Sequence, residues 1–463
     1  MAFFVTATDP ATDPIQMKTC PTRLSCLLAL PVLVLAACAS NPAPGFGQED
    51  PPEPATGSAI FLHPDGAGIS AWNAARIYHV GPDEPLNWDR LDQVGIYMGH
   101  MKNSMGATSH GGATSHAYGV KVVWDSYGMD GTDPLTSLSG EPFSVMEEAR
   151  RAGLATALVN SGHIAEPGTG VFAASSRSRQ NTDHITLQVV ESGTDIIFSG
   201  GEALLLPEGT VGAHGYEGVR QDSLNLITRA RELGYRIVYT REQLLALPSS
   251  TEKVLGVFAG YHTFNDLTEE ELEAEELPMY EPVAPTLAEM TEVALRLLKA
   301  RDQRFLLVVE EEGSDNFANG NNALGTLTAL GRADEALGVA LDFVKENPET
   351  LLVTAADSDA GGMQVFPIRD PSEDVAYKVL PETTRNGAPL DGTGGTGTQP
   401  FMSQPDRFGN RWPYAIAWAS LDDNLGGIVA RARGLNAQLL PPLTDNTDIY
   451  RILYATLFGT WLP

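Results

Sequence analysis

The chain has 463 residues, 43% of them hydrophobic and 19% charged. That balance suits a globular protein with a large core, in one big α/β domain or two to three smaller ones, and excludes a disordered or collagen-like chain despite 46 Gly and 31 Pro. The net charge of -29 argues against binding nucleic acid over a broad face, because an acidic surface repels phosphate backbones, whereas carboxylates attract divalent cations.

The three cysteines, Cys20, Cys26 and Cys38, all lie near the N-terminus, so the folded body can hold neither a disulfide nor a thiolate metal site. From Met17 the chain shows Lys18 and Arg23, then an apolar stretch from Leu27 to Leu35 that is too short to span a bilayer. It ends in Leu35-Ala36-Ala37-Cys38, which resembles a bacterial lipobox. Residues 1–37 are therefore expected to be a signal peptide of lipoprotein type, with Met17 as the expected start because residues 1–16 are polar. Cys38 is the expected lipidation site, holding an exported protein on a membrane that faces the periplasm or the cell surface. Ala39 rather than Asp after the cysteine points to the outer membrane. An ordinary secretory signal or an uncleaved anchor is the alternative. Residues 38–57 are rich in Pro, Gly and acid and read as an extended tether, leaving 58–463 as the body.

Within the body, Ser58–Leu62 reads as a strand ending at a Pro-Asp-Gly turn, followed by helical spacing from Ala71 to Tyr78. Helix Phe143–Ala152 leads to strand Ala155–Val159 and a loop through Glu166. Asp195–Phe198 reads as a strand, Ser223–Leu233 as a helix, and Ile237–Tyr239 and Val254–Phe258 as strands. Pro285–Lys299 is an amphipathic helix with acids early and bases late, matching the helix dipole. Strand Phe305–Val309 runs into an acidic loop. Helix Gly331–Asn347 precedes strand Thr350–Thr354, with Asp357 close behind. This alternation predicts one parallel or mostly parallel sheet with helices on both faces. Leu267–Glu276 reads as a solvated surface helix, and Gly-rich Asn386–Asn410 as a long loop.

Ligands of such sheets gather at the C-terminal ends of the strands. The polar residues placed there are Asp65, the 108–116 loop, Glu166, Glu310 with Asp315, and Asp357. Clustered acids are costly unless a cation pairs with them, so five at one sheet edge suggest a polynuclear metal site; the alternative is that each caps a helix or closes a turn. The small residues and hydroxyls from Thr108 to Lys121 would let a phosphate approach a helix start, and a serine there beside a metal can be deprotonated to a nucleophile.

These segments resemble the alkaline phosphatase family. Pro64-Asp65-Gly66-Ala67-Gly68 is similar to its first metal-ligand loop, and Thr108-Ser109 through Gly119-Val120-Lys121 to its nucleophile segment without a gap. Ala165-Glu166-Pro167 resembles the segment that supplies a magnesium ligand and, eleven residues on, an arginine that falls at Arg177. Val309-Glu310 through Asp315 to Asn319 and Asn321, Ala355-Ala356-Asp357-Ser358, and Asp423 within Asp422–Gly426 resemble the remaining ligand segments. The resemblance implies an alkaline-phosphatase-like three-layer sandwich that hydrolyses phosphate monoesters through a phosphoserine on Ser109, with Arg177 on the phosphate. It implies metal ligands at Asp65, Glu166, Glu310, Asp315, Asn319, Asp357, Ser358 and Asp423, small phosphate esters as partners, two or three divalent ions, and, since the family is often dimeric, a homodimer.

Asn319, Ser358 and Asp423 stand where the family has histidines, and none of the nine histidines lies after His262. Oxygen in place of imidazole favours magnesium, calcium or manganese over zinc, although zinc stays open because His110, His116 and His163 lie near the site in sequence as ligands or as supporting residues. A phosphodiesterase-type member of the superfamily and a non-catalytic metal-binding lipoprotein remain the rival readings.

Overall fold

The computed structural model describes residues 53–369 and 378–463. The expected signal peptide, Cys38 and most of the 38–57 tether lie outside them. The last residues of that tether are pinned to the body: the Ala55 backbone N–H donates to Asn436 Oδ1 at 3.1 Å, and the Gly57 N–H donates to the Thr456 carbonyl at 2.8 Å. Among the described residues no helix is long and apolar enough to cross a membrane.

Ten strands form one sheet: β1 Ser58–Pro64, β2 Gln93–Met98, β3 Ala155–His163, β4 Ile196–Gly200, β5 Arg236–Val238, β6 Val254–Val257, β7 Phe305–Glu311, β8 Thr350–Thr354, β9 Val429–Gly434 and β10 Leu443–Asp445. Their order is β10-β2-β9-β8-β1-β7-β3-β4-β6-β5, and every pairing is parallel except those of β9. Every residue of β1, β7 and β8 is buried, and their middle stretches are continuous apolar runs, as a strand covered on both faces requires. One helical group consists of α1 Ile69–His79, α4 Leu287–Lys299 and α6 Ala323–Glu346; the other consists of α2 Ser109–Tyr118, α3 Val145–Arg151 and α7 Asp448–Phe458. Between α4 and α6 lies the short helix α5, Gly313–Asn319.

Local signals explain the boundaries. Ser144 and Thr286 start α3 and α4 with capping boxes, each hydroxyl accepting from the N3 backbone while the N3 glutamate accepts from the cap N–H. Helix α6 begins eight residues before the expected Gly331, because Asn322 Oδ1 accepts from Gly325 N and opens the helix there.

Two segments depart from expectation. The Gly-rich 386–410 stretch is not a plain loop. Leu390–Gly392, Gly395–Thr396 and Phe401–Met402 join Gln364–Pro367 and Pro413–Ala417 in a small antiparallel sheet. Strands of two or three residues show no periodicity; it is pairing with the apolar Tyr414–Ala417 that orders them. The surface helix shrinks to Glu269–Ala274, and its Glu269 and Leu272 are buried rather than solvated.

Candidate active site

The order β8-β1-β7-β3 places four chain segments side by side at one sheet edge. Asp357 follows β8, Asp65 follows β1, Glu310 ends β7 with Glu312 and Asp315 just beyond, and Glu166 follows β3. Strand β9 runs the other way, so the residues that precede it, including Asp423, reach the same edge. Asp423 pairs there with Ala360 in a two-residue ladder.

Asp65, Glu310 and Asp357 are fully buried, and Glu166 and Glu312 are nearly so. Among the described residues, both carboxylate oxygens of Asp65 and of Asp357, and Glu312 Oε2, lack a hydrogen-bond partner. Burial pushes Asp65 up to about 7, with the neighbouring Glu310 and Asp423 charges adding to it and the Asp357 and Ser109 side chains opposing. Glu310 is also pushed up to about 7 by burial, with Glu166 adding and His63 opposing. Burial holds Glu312, Asp315 and Asp357 well above the ordinary carboxylate range. Glu166 behaves oppositely. Burial would raise it, but His163, His262 and the Arg179 guanidinium overcome that and hold it at about 2.

Three donor groups result among the described residues, each with one ligand atom per residue within 4.8 Å of the others: His63, Asp65 and Glu310; Asp65, Glu312 and Asp315; and His163, Glu166 and His262. Buried carboxylate oxygens without partners are what a divalent cation would satisfy, so the residues present fit such an ion.

Ser109 opens helix α2 and is 5% exposed, and Thr108 caps the helix by accepting from Gly111 N at 3.3 Å. The helix start presses on the acids. A Cβ on Gly112 would stand 2.3 Å from Asp357 Cβ, so only glycine permits the approach. Gly168 plays the same part beside β3, donating its N–H to Glu310 Oε1 at 2.8 Å.

Asn319, Ser358 and Asp423 are brought together. Asn319 Nδ2 donates to both Asp315 oxygens at 3.2 Å and to Asp423 Oδ1 at 3.0 Å, and Ser358 Oγ donates to Asp423 Oδ1 at 3.2 Å. Arg177 is not with them. It is exposed and lies along a surface cleft with Ser175, Ser176, Asn181 and His184. The arginine that reaches the acids is Arg179, with Nη2 3.3 Å from Glu166 Oε2 and Glu312, Asp315 and Asp65 also facing it.

Of the histidines noted in the sequence, His163 joins a donor group, with Nε2 2.9 Å from Glu166 Oε1. His116 pairs with the Tyr97 hydroxyl at 2.6 Å, and burial drives it well below its ordinary value, so it is a neutral ring. His110 pairs with Asp125. Sequence reasoning passed over His63, Glu312, Arg179 and His262. The signal that could have found His63 is its place at the end of β1, two residues before Asp65. Nothing local marks His262, which arrives from the loop after β6.

Comparison with known proteins follows the same lines. A family model described as alkaline phosphatase matches residues 58–386. A membrane-bound alkaline phosphatase of Bombyx mori is 24% identical over 475 residues, covering 90% of this chain and 82% of its own. Alkaline phosphatase 4 of Bacillus subtilis (strain 168) is 25% identical over 321 residues, covering 66% of this chain and 62% of that protein. Among solved structures, the alkaline phosphatase of the Antarctic bacterium TAB5 superposes with TM-score 0.66 at 17% identity, covering 88% of this chain and 99% of its own. That of Thermus thermophilus superposes with TM-score 0.66 at 20% identity, covering 88% and 93%. The structural likenesses establish the fold.

Proposed function

The chain belongs to the alkaline phosphatase family and is a hydrolase of phosphoric esters, and from that premise we propose that it cleaves phosphate monoesters in two displacements through a phosphoserine on Ser109. The observation that carries this reading is the placement of a helix-opening serine against a buried bed of carboxylates whose oxygens lack partners.

The Ser109 hydroxyl oxygen attacks phosphorus, and the ester oxygen leaves as an alcohol, taking a proton. Water then breaks the phosphoserine, releasing inorganic phosphate and restoring the hydroxyl. The start of α2 directs backbone N–H groups and the positive end of its dipole at the incoming anion. Arg179, already facing the acids, supplies a planar fork for two phosphoryl oxygens. Asp65, Glu310, Glu312, Asp315 and Asp357 would hold divalent cations, with Glu166 beside them. When bound, such ions would lower the pKa of Ser109 and neutralise charge on the phosphoryl group. Asn319, Ser358 and Asp423 offer only oxygen or amide groups around Asp315, which favours magnesium, manganese or calcium at that end of the site. A TAB5 alkaline phosphatase variant has been solved with magnesium bound. The lipobox-like segment supports an exported enzyme anchored through Cys38 and releasing phosphate outside the cytoplasm. Changing Cys38→Ser should then move activity from the membrane fraction to the soluble one.

The test is hydrolysis of p-nitrophenyl phosphate by protein stripped with chelator and resupplied with one cation at a time. Activity restored best by magnesium, manganese or calcium, and abolished by Ser109→Ala, is expected. Restoration by zinc alone refutes the hard-cation reading. No activity with any cation transfers the case to diester hydrolysis or to metal binding without catalysis.

A further inference from the structure

We infer that His63 is a metal ligand, supplying through Nε2 an imidazole nitrogen to a divalent cation shared with Asp65, Asp357 and Glu310. The inference rests on the proposed metal dependence, but not on turnover.

The first support is the state of the ring. His63 lies near the end of β1, two residues before Asp65, with which it lines the same site. It is fully buried, and its Nδ1 stands 2.9 Å from the Ala355 carbonyl oxygen. A carbonyl only accepts, so Nδ1 carries the proton. In a neutral ring, Nε2 then keeps its lone pair free. Among the described residues nothing uses that lone pair, because Nε2 has no hydrogen-bond partner. A backbone carbonyl that fixes the tautomer through one nitrogen while the other points at an ion is the usual arrangement of a metal-ligating histidine.

The second support is spacing. Nε2 lies 3.5 Å from Asp65 Oδ1 and 3.7 Å from Asp357 Oδ1. These are too long for hydrogen bonds. They suit two ligand atoms on a common ion, since atoms about 2.1 Å from one metal at tetrahedral angles stand about 3.4 Å apart. Nε2 also lies within 4.8 Å of the donor oxygens of both Asp65 and Glu310.

The third support is the neighbourhood. Phe61 and His116 pack on the ring with centroids 5.8 Å and 5.5 Å away, fixing its plane. His116 Nε2 pairs with the Tyr97 hydroxyl at 2.6 Å. A cation in this second position would see one nitrogen among oxygens, a donor set that zinc accepts more readily than the all-oxygen end does.

The decisive measurement is anomalous diffraction at the zinc edge from crystals of the protein soaked in zinc chloride. It is paired with zinc and magnesium affinities of the parent and of His63→Gln in a His163→Ala, His262→Ala background, which removes both imidazoles of the other donor group. An anomalous peak about 2.1 Å from His63 Nε2 is expected, with zinc affinity falling tenfold or more in His63→Gln and magnesium affinity falling less than threefold. A peak more than 3 Å from Nε2, no peak among Asp65, Asp357 and His63, or equal losses for both metals overturns the inference and leaves the ring a packing role. If His63→Gln does not fold, the position of the peak in the parent protein decides alone. A peak on Nε2 in a protein that hydrolyses nothing would sustain the ligand and refute the phosphatase reading, and the converse result would do the reverse.

Discussion

Arg177 and Arg179 are two residues apart and face different surroundings. Arg179 is half-buried against four acids, whereas Arg177 is exposed along a separate cleft. Removing a charged group that stabilises the transition state typically costs 10²–10³ in rate. Arg179→Ala should therefore lower kcat/KM by about that factor, while Arg177→Ala should change it less than tenfold; steady-state kinetics on both variants would distinguish them. The acids carry a second expectation. Asp65 and Glu310 start from ordinary values of 3.8 and 4.5 and are raised to about 7 in the folded state. The folded protein then binds more protons than the unfolded chain between those values, so stability falls as pH rises through that window. Metal-free protein should lose melting temperature between about pH 4 and about pH 7, and saturating magnesium should cancel or reverse the loss; scanning calorimetry with and without chelator would show it. At this scale the sequence was partly readable. Asp65, Glu310, Asp315 and Asp357 could be picked out because each follows an apolar strand. His63 was hidden inside a strand's apolar run, and a spacing borrowed from a family points to Arg177 while the loop brings Arg179 against Glu166.

The helix α2 docks against the end of β8 only because Gly112 has no side chain. Gly112→Ala would force the helix start away from Asp357 and carry Ser109 with it. Turnover should fall at least a hundredfold, since misplacement by about 1 Å can cost about that much, and circular dichroism should remain that of a folded protein. Helix α4 offers a contrast without catalytic consequence. Thr286→Ala removes half of its capping box and should cost about 1 kcal/mol, read as a shift in urea midpoint, with kinetics unchanged. Elements as a class were legible wherever periodicity or capping was strong: β1, β7, β8, α1 and α4 lie within a few residues of expectation. The 386–410 segment was not, because two-residue strands are specified by their partner Pro413–Ala417, which is remote from the signals available in the segment itself.

Over the whole molecule, binding of cations to the folded state alone should add stability by mass action, about 2.7 kcal/mol at a hundred times the dissociation constant for a single site. Chelation should lower the melting temperature of the parent protein by more than that of an Asp65→Asn, Asp357→Asn double variant, which thermal melts would resolve. The parallel sheet itself was predictable from strand–helix alternation, but its strand order was not, since no local pattern states which distant segments lie side by side. That order has a temporal consequence. The Phe305 backbone N–H donates to the Ser58 hydroxyl across 247 residues of chain, and both neighbours of β1 are supplied only by β7 and β8. A nascent chain emerging from the ribosome therefore carries β1 without any partner until β7 ends at residue 311, and without its second partner until residue 354 has been made, and such long-range pairing forms slowly. The acids stay scattered along an open polypeptide during that interval, so the cation site is assembled among the last events of folding.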